Sequence, residues 1–241
     1  MPSHYRRYTL AALIYAAGFA YILLRWESIP DPVPIHVGLT GEADGFAPKT
    51  LLTTILPMII GLAVTLMTPL FLPQRTLARN TVDVPAEDAL PFSETAARRV
   101  EKLCDSSADV VSKIILSLAA LLTVMNIGMV VPDVAIPFWL EIALLIGFTV
   151  YVVVVALRMT NAKDGIEPDA DEQARNERLR YQGGMGTYSA PNDPMVAAVL
   201  PSNPGKIAVN TAHAPGKRYL RRVIVGVVVI VAVPMAIVVA M

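Results

Sequence analysis

The chain has a single cysteine, Cys104, and three histidines in 241 residues. A lone thiol allows neither an internal disulfide nor a thiolate metal cluster, so Cys104 is expected to be a small apolar packing residue. Charge is also scarce. Asp, Glu, Lys and Arg make up 17% of the chain against 54% hydrophobic residues, too apolar for an ordinary soluble domain of this length. The net charge is zero and the bases are interleaved with acids, which argues against a nucleic-acid partner. The phosphate-loop pattern fails as well, because Gly205-Lys206 and Gly216-Lys217 follow Leu200 and Thr211 where a glycine is required. No nucleophile stands beside a base, so no catalytic residue and no cofactor are expected. One loop histidine with two acids is not a metal-binding set.

What the chain has in abundance is uninterrupted apolar sequence. Crossing a hydrocarbon core takes about 20 apolar residues of helix. Five segments meet that demand: Tyr8 to Leu24, Leu51 to Leu72, Val110 to Val131, Ile136 to Leu157, and Val223 to Met241. Lipid cannot satisfy an open backbone and no alternating barrel pattern is present, so the expected fold is all-α, a polytopic membrane protein with about five transmembrane helices. Of the 20 Lys and Arg, only Arg25 and Lys49 fall in the segments between spans one and two or three and four. Bases are retained on the cytoplasmic side, which puts the amino terminus in the cytoplasm and the carboxyl terminus outside. A cleaved signal peptide is the competing reading of the first span, with Arg6 and Arg7 ahead of it, but apolar residues continue past the small-residue site to Leu24.

This topology divides the chain into five parts. Residues 1–72 hold the first two spans around an extracytoplasmic loop, 27–50. Residues 73–109 form a cytoplasmic amphipathic segment, where Ser93 caps a helix whose Ala96, Val100, Leu103, Cys104 and Val111 recur at helical spacing. Residues 110–157 carry spans three and four, 158–222 a second cytoplasmic segment, and 223–241 the last span. Within 158–222 the composition allows no packed core of its own. The stretches "MVAAVL" and "KIAV" between turn dipeptides suggest a small hairpin-like unit over 183–218, with a flexible linker as the alternative.

The loop "IPDPVPIHVGLTGEADGFAPKT", residues 29–50, is far longer than a connection between spans needs. Pro30, Pro32 and Pro34 favour extended backbone, and Gly41 and Gly45 permit tight reversals. His36, Glu42 and Asp44 supply an imidazole and two carboxylates, while Lys49 is expected to anchor the second span at the headgroups. The topology sets Arg25, Asn126 and Glu141 at a similar depth. An acid about one turn inside a span is costly without a partner, and Arg25 is the natural partner for Glu141. Arg25, His36, Glu42, Asp44, Asn126 and Glu141 are therefore the candidate binding cluster, roofed by the loop. Loop organisation by His36 and a structural tie between Arg25 and Glu141 are the plain alternatives.

Pro34, Ile35 and His36, followed by Gly41, Glu42, Asp44, Gly45, Phe46 and Lys49 between the first two spans, resemble the bacterial membrane family known as domain of unknown function 1648 (DUF1648). That family includes the immunity protein against a sporulation-delaying toxin. Residues 190–217 are similar to a small domain appended in some members ahead of a final span. The motif that follows the later spans in the toxin-immunity branch is absent from this chain. The resemblance implies a multi-pass protein of the bacterial plasma membrane, non-enzymatic and of the sensor or immunity type, with the loop as a recognition or packing cap. Its partners would be the lipid bilayer and either a membrane protein or a peptide ligand at the outer face. An accessory subunit of a larger membrane complex is the first alternative. A transporter or membrane enzyme is the second, disfavoured because no pair of broken helices marks a midplane site.

Overall fold

The structure, a computed structural model, describes residues 3–38, 40–85, 87–160 and 165–240, with side chains for these up to residue 159 and from 165 to 232. Helices dominate: α1 (Ser3–Leu24), α2 (Leu51–Phe71), α3 (Glu94–Val130), α4 (Phe138–Thr160), α5 (Ala170–Leu179) and α6 (Ala214–Ala240). Among the described residues, four helical stretches have the length and apolar character to cross a bilayer: Ser3–Leu24, Leu51–Leu77, Glu94–Val130 and Phe138–Met159. These are the marks of an integral membrane protein. Of the expected fifth span, 223–241, residues 223–240 fall in α6, partly beyond the residues whose side chains are described, and Met241 lies outside the described residues.

The all-α expectation needs correction. Strands β1 (Val33–Val37) and β2 (Ala43–Ala47) form an antiparallel pair, while β3 (Thr187–Tyr188), β4 (Ala197–Val199) and β5 (Ile207–Asn210) form a sheet in the order β3-β5-β4. β4 and β5 pair antiparallel within the "MVAAVL" and "KIAV" stretches expected to form a hairpin-like unit, whereas β1, β2 and β3 are too short or interrupted by Pro and Gly to show the alternation that marks a strand in sequence.

The chain divides into two compact units. The first comprises 1–69 and 109–156. On α1 the buried residues Tyr8, Ala11, Tyr15, Gly18 and Ile22 recur every three or four positions and form one stripe. They pack with Ile55 and Met58 of α2 and with Ile115 and Ala119 of α3. Small residues set how closely these helices approach: a side chain at Gly61 would meet the Tyr15 hydroxyl at 2.2 Å, and one at Gly18 would meet Met58 at 2.6 Å. Near the start of α1, Arg7 Nη1 lies 2.5 Å from Asp109 Oδ1, and the Lys113 ammonium lies 2.6 Å from the same carboxylate.

The second unit comprises 70–108 and 157–241. The Ser93 hydroxyl accepts the Ala96 N–H at 2.9 Å and so caps α3, while Ala97, Val100 and Cys104 face inward. Against the expectation of no core within 158–222, Tyr188, Ala190, Ala198, Leu200 and Ala208 cluster with Leu179 and with Leu90 from the earlier segment. Val196, Ala197, Val199 and Val209 close a core with Leu77, Ala78, Val100 and Cys104. Backbone bonds tie 80–90 to 192–196: Val82 N–H to the Pro194 carbonyl (2.9 Å), Val196 N–H to that of Asn80 (3.1 Å), and Leu90 N–H to that of Asn192 (2.8 Å). A linker composition thus becomes ordered by borrowing apolar partners from an earlier segment.

The buried face of α5 is charged, and apolar periodicity therefore misses it. Glu172, Arg175 and Leu179 are its buried residues. Arg175, only 1% exposed, grips Asp193 through two parallel bonds of 2.7 and 2.8 Å. Asp193 also accepts the Tyr188 hydroxyl at 2.8 Å and the Met195 N–H at 2.9 Å. Burial, reinforced by the Asp193 charge, pushes the Tyr188 phenol well above its ordinary range and keeps it a donor. Glu172 receives Arg99 Nε at 2.9 Å and the Thr95 hydroxyl at 2.6 Å. At the start of α5 burial opposes the charge on Asp169, but donors from Glu172, Ser93 and Thr95 outweigh it and hold the carboxyl below its usual range.

Two outcomes are expected. Arg175→Met should lower the unfolding free energy of the second unit by about 3–5 kcal/mol, because it leaves a buried carboxylate uncompensated; protease protection of 165–213 in the full-length chain measures the loss. Asp169→Ala should cost about 1 kcal/mol near neutral pH. Because the folded carboxyl titrates below the unfolded one, its stabilisation is complete above about pH 4 and disappears as pH falls through the lowered value. Denaturant titrations of wild type and variant should therefore converge in acid.

Candidate functional site

The loop between α1 and α2 is held at both ends. After a 3-10 turn at Trp26–Ser28, the Lys49 ammonium donates to the Ile29 carbonyl at 2.8 Å and lies 5.1 Å from the centroid of the Trp26 ring. The Lys49 backbone N–H donates to Asp31 Oδ1 at 3.1 Å. Lys49 thus clasps the base of the loop, a tie more specific than the headgroup anchoring expected of it.

Between these ends β1 and β2 pair, Val33 with Ala47 and Pro34 with Phe46, and the register shifts on either side of His36. Pro34 sits within β1 on a two-stranded ribbon, where its missing donor is tolerated. Pro30 and Pro32 precede the strand, with a cis bond at Asp31-Pro32. Gly41 adopts φ +85°, and a side chain there would strike Phe138 at 2.8 Å. At Gly45 a side chain would meet the His36 Cβ, also at 2.8 Å. The glycines therefore bring the hairpin against α4 and its two strands against each other.

The six expected polar residues do not converge on one point. His36 bonds Asp44 across the hairpin, and both are largely exposed. Arg25 pairs with Asp133, in the 3-10 turn after α3, and not with Glu141. Helix-end distance in sequence favoured Glu141, but Asp133 is exposed and costs less to bring to a cation than an acid inside α4. Glu42 has no side-chain partner among the described residues. His36, Asn126 and Glu141 do share a space: all three line a cavity of about 410 Å³ together with Pro57, Met125, Met129, Phe138 and Ile142.

This cavity is chiefly apolar with a few polar groups, the usual character of a small-ligand site. Asn126 is 2% exposed; its Nδ2 donates to the Thr54 carbonyl at 3.0 Å, one turn before Pro57, while its buried Oδ1 has no hydrogen-bond partner among the described residues. A buried acceptor left open costs about 1–3 kcal/mol. Glu141 is half-buried, and among the described residues no side chain or backbone group pairs with its carboxylate. The open cavity groups are thus an acceptor and an acid, with the His36 imidazole at the rim. Met125, Met129 and Phe138 could not be assigned from sequence, where they read as ordinary span residues; only the fold of α3, α4 and the hairpin sets them around one space.

Among the described residues no group of three or more His, Cys, Asp or Glu is placed to hold a metal ion. No curated protein and no solved structure matches the chain. Residues 13–61 match the family model described as "Domain of unknown function (DUF1648)". That match takes in the second half of α1, the hairpin loop and the half of α2 carrying Thr54 and Pro57, and so it falls on the segment that supplies the roof and one wall of the cavity.

Proposed function

We propose that this chain is a non-enzymatic multi-pass protein of a bacterial plasma membrane, of the sensor or immunity type, whose cavity beneath the β1–β2 loop receives an apolar ligand bearing a hydrogen-bond donor or a cationic group. In this reading α6 is the fifth span, the amino terminus is cytoplasmic, and 27–50 is the extracytoplasmic cap. The distribution of Lys and Arg supports the orientation. The observation that carries the ligand reading is the buried, unpartnered Oδ1 of Asn126 on a residue lining an apolar cavity, with the Glu141 carboxylate on the same wall. A donor or cation satisfies both groups, whereas an anion would meet repulsion from Glu141.

One observation favours a second reading, an accessory subunit of a membrane complex. Within α4 only Val155 is buried among the described side chains, and Trp139 is 69% exposed. That helix offers a long apolar face to lipid or to a neighbouring protein.

The two readings separate on purified full-length protein in mild detergent. Phenethylammonium at a hundredfold excess over its Kd should stabilise the fold by about 2.7 kcal/mol, and should raise Tm more than its neutral isostere 2-phenylethanol at the same concentration. Glu141→Gln should erase the difference, and Asn126→Ala should reduce it. Equal shifts for both compounds in wild type and Glu141→Gln would remove the ligand reading. Stoichiometric membrane partners that copurify with wild type and with both variants would establish the subunit reading in its place.

A further inference from the structure

Five arginines of the second unit are held by acids of the same unit. Arg75 pairs with Asp105, Arg79 with Glu94 and Glu101, Arg98 with Glu94, Arg99 with Glu172, and Arg175 with Asp193. The start of α6 is arranged differently. Lys217, Arg218, Arg221 and Arg222 are all exposed, and among the described residues no carboxylate pairs with any of them. No acid stands in the first turn of α6. The Arg222 guanidinium lies 5.5 Å from the centroid of the Tyr219 ring, which leaves its charge uncompensated. Four cations thus crowd two turns at the helix end where positive charge is least favourable, and an external anion is the natural compensation.

Their arrangement says what kind of anion. At 3.6 residues per turn the four positions fall within about 140° of arc on one face of α6. The opposite face is occupied: the Tyr219 hydroxyl donates to the Phe71 carbonyl at 3.3 Å, and a side chain at Gly226 would meet the Phe71 ring at 2.3 Å. Directly along the helix from the cations, on the same face, stand the exposed Val225, Val228 and Ala232. The cationic end is also firmly positioned. His213 Nε2 lies 2.8 Å from the Asp193 carbonyl, and Gly216 sits so close to the Asn210 carbonyl that a Cβ would fall 2.0 Å from its oxygen.

We propose that Lys217, Arg218, Arg221 and Arg222 form a binding site for the phosphate headgroup of an anionic phospholipid, whose acyl chains lie along Val225, Val228 and Ala232. A soluble phosphate compound would use the cations but gain nothing from the apolar strip. A lipid uses both, and basic clusters beside a membrane helix recruit anionic headgroups in this way. The inference rests on reading α6 as a membrane span.

Native mass spectrometry of the full-length protein in non-ionic detergent tests it, with phosphatidylglycerol and phosphatidylcholine of matched chains. Wild type should retain phosphatidylglycerol roughly tenfold more strongly, a preference that added salt weakens. The variant K217Q/R218Q/R221Q/R222Q should lose that preference. The charge-keeping variant K217R/R218K/R221K/R222K should retain it, which separates loss of charge from loss of folding. An unchanged preference in the glutamine variant overturns the lipid site, and so does full competition by glycerol 3-phosphate at equal concentration, which would identify a soluble-phosphate site. V228C reports on the span separately: labelling by a membrane-impermeant maleimide in intact and permeabilised vesicles refutes the embedded helix, whereas protection combined with no lipid preference refutes only the lipid site.

Discussion

A polar group taken out of water must be given donors or acceptors in return, and the Asp193 carboxylate is where the second unit meets that demand most fully. Its two oxygens accept from Arg175 on α5, Tyr188 on β3 and the N–H of Met195, and its own carbonyl meets His213 at the approach to α6. Asn210 of the central strand adds a second knot, its carboxamide exchanging bonds with the backbone of Ala190 at 3.1 and 2.8 Å. These bonds fix α5, the three short strands and the start of α6 in one arrangement that small apolar residues could not specify. The apolar contacts of Leu77, Ala78, Val196 and Val209 then fill the space those bonds define.

The same demand, left unmet, marks the places where the chain is open to something else. Asn126 satisfies its amide through Thr54 and leaves its oxygen without a donor. Glu141 lines the same cavity, and among the described residues no cation pairs with it. The four bases of α6 stand exposed and clustered, with no acid paired to them among the described residues, whereas Arg75, Arg79, Arg98, Arg99 and Arg175 of the same unit are each held by one. The three cases differ in chemistry: an acceptor and an acid facing an apolar cavity suit a donor or cation, whereas a cationic arc above valines suits a lipid phosphate.

Much of this was legible in the chain. Long apolar runs in a chain with 17% charged residues dictate membrane helices, because only helices and closed barrels hide their backbone from lipid and no alternating barrel pattern is present. Ser93 announced the start of α3 by its hydroxyl and spacing, and the Pro and Gly pattern of 29–50 announced an ordered loop. Asn126 and Glu141 stand out in the sequence as polar residues within apolar spans, where they are costly, and His36 as the imidazole of an ordered loop. Arg25 was matched to the wrong acid, since depth along a span does not report the direction a loop takes.

Composition and periodicity by themselves determined which segments are helical and apolar, because both properties are local and repeat at 3.6 residues. Tertiary structure decided between the hairpin-like unit and the linker that the sequence left open over 183–218, and it alone made a charged face of α5 the buried one and brought Met125, Met129 and Phe138 together under the hairpin. Each depends on a partner distant in the chain: Arg175 lies 18 residues from Asp193, and Asn126 lies 72 from Thr54. A buried ion pair reads as surface until its counter-charge is in place, and a cavity has no sequence at all until three elements enclose it.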